Sequence, residues 1–171
     1  MIKLKKEEAD RLVKMLKRKV KEQILNFPVE KESISFDVFG ERRDDRLVVS
    51  INRSGIDSQS CTFQGRNKAN NIIVLRLDIN PTARHINPIT GDAIVGSHLH
   101  IYSEEFEMRE AIPFDVQDKD LFSICLTFFE KFNIVDPPNI NHQLTIFDIE
   151  PAQNVNQILT IPPTKKGKKR E

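Results

Sequence analysis

The 171-residue sequence contains only two cysteines, Cys61 and Cys125. Two are too few for a disulfide framework or a cysteine-based zinc site. No stretch approaches 18 consecutive apolar residues, which excludes an ordinary transmembrane helix, and no membrane partner is expected. The opening MIKLKKEEADRLVKMLKRKV has no unbroken apolar segment of the kind that directs secretion, so a cytoplasmic location is expected. There is no Gly-rich phosphate loop, no His-Glu-x-x-His helix and no internal repeat. Net charge is nearly absent as well, with 26 Lys and Arg against 25 Asp and Glu.

What is present suits one folded unit. The length fits a single domain, and 11 Phe residues argue against wholesale disorder. Residues 1–160 read as one domain and 161–171 as a basic flexible tail. The balanced total hides an uneven distribution. Residues 1–25 carry nine Lys and Arg against four acids, a net +5, and the tail KKGKKRE adds +4. The body between them is acidic. Basic ends of this kind fit RNA or another nucleic acid as partner, and equally a solvated helix face and a solubilising tail.

Periodicity gives the elements. In residues 6–25, Ala9, Leu12, Val13, Leu16, Val20 and Ile24 recur at three- and four-residue spacing, which predicts an amphipathic helix stopped by Pro28. Residues 34–38, 46–52, 61–64, 72–79 and 97–102 read as strands, with an edge strand over 111–114. A loop of 17 residues separates IIVLRLDI from SHLHIY. Residues 118–132, DKDLFSICLTFFEKF, predict a second helix whose wide apolar face is buried on the sheet, with Cys125 in the core. Leu144–Ile146 offers a further strand. The fold class is α+β: an antiparallel sheet of about four to six strands between an N-terminal amphipathic helix and a C-terminal buried helix.

Strand alternation then gathers chemistry on one face. In IIVLRLDI, Arg76 and Asp78 point away from the leucines; in SHLHIY, His98, His100 and Tyr102 do the same. His85 lies on the intervening loop and can reach back, so three of the four histidines fall within 16 positions. Glu104, Glu105 and Arg109 follow directly. One chemistry for this set is metal-independent RNA cleavage. His98 and His100 would share the acid and base roles, Arg76 would bind phosphate, Asp78 would orient a histidine, and His85 and Tyr102 would assist. That reading needs no cofactor. The alternative is a divalent metal at His98, His100 and His85, with Asp78 or Glu104 completing the shell. HLHIYSE has the His-x-His-x-x-x-Glu spacing of a first cupin motif, without the second motif. The plain alternative is a wet sheet face carrying a surface ion pair. Asn52-Arg53-Ser54-Gly55 reads as a hairpin turn, Cys61 lacks a setting that would activate it, and His142 stands alone in a loop-like segment.

The strings EEADRLVKMLK (7–17), INRSGID (51–57), LRLDIN (75–80), His85 with Asn87-Pro88, and HLHIY (98–102) together resemble a family of small bacterial and prophage-associated proteins of unknown function. The resemblance spans residues 5–135 and carries over Arg53, Arg76, Asp78, His85, His98, His100 and Tyr102 as matching positions. It implies a functional site on this face and, by its mobile-element setting, a toxin-like or phage-defence role. In that setting a protein partner such as an antitoxin or host factor also fits. A non-enzymatic inhibitor or accessory factor is the competing class.

Overall fold

The computed structural model describes residues 3–55, 57–116 and 120–142. The elements in chain order are α1 (Lys6–Lys14), β1 (Lys17–Lys19), β2 (Ile24–Asn26), β3 (Ser33–Phe39), β4 (Arg46–Arg53), β5 (Cys61–Asn67), β6 (Ile73–Ile79), β7 (Arg84–Ile86), β8 (Ala93–Val95), β9 (His98–Ile101), β10 (Ile112–Pro113), α2 (Leu121–Lys131), β11 (Ile134–Asp136) and β12 (Asn139–Asn141). Eight strands form one sheet in the order β10-β9-β6-β5-β4-β3-β1-β11. It is antiparallel except at its far edge, where β1 and β11 run parallel. β2 and β12 form a second parallel pair, and β7 and β8 a separate hairpin.

The period-two pattern of the long strands sends Phe36, Val38, Leu47, Val49, Ile51, Phe63, Leu75, Leu77 and Leu99 into one buried cluster. α2 covers it. Phe128 stacks on Phe63 with ring centroids 5.8 Å apart, and Phe129 meets Phe36 edge-on at 5.8 Å. Gly65 leaves the room that Phe132 fills: a Cβ built on it would overlap the Phe132 ring. Asp120 caps α2, its carboxylate accepting from the Phe122 and Ser123 backbone N–H groups.

The sheet class and the buried second helix are as expected, but the strand count is eight rather than four to six. The first helix is also shorter. α1 ends at Lys14, and residues 17–19 and 24–26 pair as strands instead. The apolar stripe fails at that point: Leu16, Val20 and Ile24 are exposed, Ile24 to 71%. Lys17 explains the break. Its side chain is completely buried, and its ammonium donates to the carbonyls of Val13 (2.8 Å), Met15 (2.9 Å) and Phe132 (2.6 Å). These are carbonyls at the C-terminal ends of α1 and α2, which the helices themselves leave without a donor. The 17-residue loop contains the β7–β8 hairpin, which local pattern did not reveal. Leu144–Ile146 and the basic tail lie outside the described residues.

The basic N-terminal surface is in part neutralised internally. Arg11 pairs with Glu8 (2.7 Å) and Asp45 (2.6 Å), Lys17 is buried, and Lys19 pairs with Asp136 (2.6 Å) and Glu22 (3.2 Å). Beside Glu8 and Asp45 the Arg11 guanidinium is held well above its ordinary range, and both carboxyls are held below theirs. No helix among the described residues is long and apolar enough to cross a membrane.

Candidate functional site

β6 and β9 pair so that Asp78 faces His98 and Arg76 faces His100. The adjoining strand places Thr62 opposite Asp78. Cross-strand register therefore assembles the group, as alternation predicted. His85 arrives from β7. Its hairpin is fixed by Asn87, whose side-chain amide donates to the Ala111 carbonyl (2.9 Å) and accepts from the Ala111 N–H (2.8 Å). The result is three imidazoles packed together. Ring centroids are 5.2 Å apart for His85 and His98, 4.9 Å for His85 and His100, and 4.9 Å for His98 and His100.

Each ring is anchored by a backbone carbonyl. His98 Nδ1 lies 2.9 Å from the Gly96 oxygen, His100 Nδ1 2.9 Å from the Glu110 oxygen, and His85 Nε2 2.8 Å from the Arg109 oxygen. A carbonyl only accepts, so those three nitrogens carry the protons. The remaining nitrogens are then His98 Nε2, His100 Nε2 and His85 Nδ1. One ligand atom from each ring lies within 4.8 Å of the others. His98 is buried, His100 is only 1% exposed, and His85 is half-buried.

Around them is a charged network. The Asp78 carboxylate accepts from Arg76 Nε (2.9 Å) and Thr62 Oγ1 (2.9 Å). Its Oδ2 lies 3.3 Å from His100 Nε2 and 3.7 Å from His98 Nε2. Arg76 Nη2 is 3.1 Å from the same His100 nitrogen. Burial alone would push the Asp78 carboxyl up; His100, Arg76 and Thr62 overcome this and hold it below the usual carboxylate range. Burial, the neighbouring His100 and His98, and Arg76 push the His85 imidazolium down against the pull of the Arg109 carbonyl.

Of the sequence-predicted residues, Arg76, Asp78, His85, His98 and His100 come together. Tyr102 does not join them: it is buried in the core, and its hydroxyl accepts from the Leu4 N–H at 3.1 Å. The strand ends at Ile101, so alternation no longer governs the next residue. Glu104 also departs, since its backbone oxygen and carboxylate meet Lys3 Nζ and the Lys6 N–H. The cupin-like spacing thus has no counterpart in space. His142, which stands alone in the sequence, stacks on Phe122 with ring centroids 4.7 Å apart. The anchoring carbonyls and Thr62 were missed. Carbonyls leave no signature in residue type, although Gly96, at φ 96°, marks the turn that presents its oxygen to His98.

A family model, described as a family of unknown function, matches residues 4–134. No curated protein and no solved structure gives a significant match.

Proposed function

Because the chain belongs to this family of unknown function, DUF6978, its chemistry has to be argued from the site, and we propose that it is a metal-dependent protein whose centre is His85, His98 and His100. The observation that carries this is the anchoring of all three rings by backbone carbonyls. Metal-ligating histidines characteristically donate their second N–H in this way, which fixes the tautomer and aims the lone pair. Here one nitrogen of each imidazole lies within 4.8 Å of the others, and Asp78 Oδ2 faces Nε2 of His98 and of His100. The Arg76 guanidinium already meets Asp78 and His100 Nε2, and a bound ion would be a second cation for this set of acceptors. Side-chain shifts of under about 1 Å would bring a trio of this size to the ~2.0–2.1 Å of zinc–imidazole bonds. Three nitrogens and an adjacent carboxylate suit Zn²⁺, Fe²⁺ or Mn²⁺. A divalent ion held there supplies Lewis-acid polarisation, a chemistry compatible with hydrolysis. Thr62 and Arg76 orient Asp78, and the rings of His98 and His100 are buried.

Elemental analysis and native mass spectrometry of untagged protein, followed by zinc titration, test the proposal. The expected result is one ion per folded chain, lost in His98→Ala/His100→Ala with the circular dichroism spectrum unchanged. A wild-type chain that carries no metal and takes up no zinc overturns it.

One observation favours a second reading, metal-independent acid–base RNA cleavage. Arg76 Nη2 already donates to His100 Nε2 without an ion and Arg76 Nε to Asp78, giving imidazoles for acid and base and a phosphate-binding cation in one network. The internal pairing of Arg11, Lys17 and Lys19 removes part of the electrostatic support for that reading. RNA cleavage that persists in chelator and is lost in the double variant would establish it instead.

A further inference from the structure

A cavity of about 360 Å³ lies at the ends of β4, β5 and β6. His98 and Asp78 form part of its wall, so it adjoins the histidine cluster; Asn52, Arg53, Thr62 and Asn80 form another part. The row Asn52–Thr62–Asp78–His98 runs straight across four paired strands, which places these side chains on a rigid frame.

The charges in this wall are unequally matched. Asp78 is met by Arg76, His100 and Thr62. Arg53 has no such partner. Its Nη2 donates to the Ser58 carbonyl at 2.6 Å and its Nη1 to the Pro28 carbonyl at 3.4 Å. Its Nε is buried and makes no hydrogen bond. Among the described residues no carboxylate lies within ion-pair distance of it. Two neutral carbonyls therefore orient the guanidinium without neutralising it. A half-buried, oriented and unneutralised cation beside a polar cavity is the arrangement that selects an oxyanion.

We infer that this cavity binds the phosphate or carboxylate group of a small molecule at Arg53, with the Asn52 amide as a neighbouring polar group. The volume lies toward the lower end of the range of small-molecule sites, about 300–1,000 Å³. That the anion belongs to the substrate of the adjoining centre rests on the function proposed for His85, His98 and His100; the anion site itself stands on Arg53.

The test is titration of zinc-treated, full-length protein with inorganic phosphate, and separately with acetate, followed by calorimetry. Zinc content is measured on the same samples. One oxyanion should bind per chain, and Arg53→Gln should weaken it at least tenfold at unchanged zinc content. Arg18→Gln, a charge removed from an exposed site away from the cavity, should leave binding intact. Ala83→Glu places a carboxylate at the cavity wall from a surface turn and should abolish binding with Arg53 still in place, which guards against misfolding of the first variant. Whichever of phosphate and acetate binds more tightly identifies the anion class. Failure of both to bind the wild type, or wild-type affinity in Arg53→Gln, overturns the inference; an anion held through zinc alone gives the latter result. Arg53-dependent binding in a protein that takes up no zinc upholds the anion site and removes the centre. Zinc uptake without Arg53-dependent binding does the reverse.

Discussion

Lys17 shows how one residue can set both local structure and a pH response. Burial pushes its ammonium down to about 7, partly opposed by the Asp45 charge. The unfolded lysine titrates near 10.4. Between these values the unfolded chain holds a proton on Lys17 that the folded chain has released, so this residue's contribution to stability rises with pH across that window. The slope approaches about 1.4 kcal/mol per pH unit. The difference between wild-type and Lys17→Met urea midpoints should widen from pH 7 to 8 to 9; the buried thiols of Cys61 and Cys125, pushed up by burial, act against the rise equally in both proteins and cancel in the difference. A difference that stays constant over this range contradicts the assignment. Lys17→Met should itself cost about 1–3 kcal/mol at pH 9, because buried carbonyls lose their donor. Gly65 is the steric counterpart. Gly65→Ala drives a methyl into the Phe132 ring and should cost about 1–3 kcal/mol by urea denaturation; an unchanged midpoint would mean that the ring has room to move.

At the scale of elements, caps and pairings divide what sequence can reveal from what it cannot. The Asp120 carboxylate accepts two backbone N–H groups and the Ser123 hydroxyl at the start of α2. Asp120→Ala should therefore cost about 1 kcal/mol, read as a lowered melting temperature with the fold retained. The strands β3, β4, β6 and β9 were legible because alternation over four to eight residues is a local property that the core enforces. The three-residue strands β1, β2, β11 and β12 were not: β2, β11 and β12 exist through partners more than a hundred positions away, and β1 lies between the distant β11 and the nearer β3. KRK carries no strand pattern, and only the neighbouring β3 and β11 make it one. Four members of the candidate site were legible for the same reason as the long strands: Arg76 and Asp78, His98 and His100 share a face by parity. His85 was placed by proximity in sequence, and its seat depended on an Asn87 clamp that no periodicity encodes. Tyr102 was misplaced by carrying parity one residue beyond the strand's end.

For the whole molecule, a metal at the histidine cluster would act on global stability by mass action. Zinc at about a hundred times its dissociation constant should stabilise the folded state by about 2.7 kcal/mol, or about 5–10 °C in melting temperature for a chain of this size. The shift should disappear in His98→Ala; an equal shift in that variant would place the ion elsewhere. A second global property follows from the parallel pairing of β1 with β11 and of β2 with β12. Two consecutive strands from the start of the chain lie beside two from near residue 140, and Lys17 reaches the Phe132 carbonyl across the same seam. On the ribosome, β2 emerges long before its partner exists, and β1, which can pair early with β3, emerges long before β11. Both parallel pairings must wait until the last described strands have cleared the exit tunnel, so the central hairpins can assemble during synthesis while the seam closes only after it. A nascent chain stalled before residue 134 should thus present an unfinished sheet edge to chaperones and proteases, however well its middle has folded.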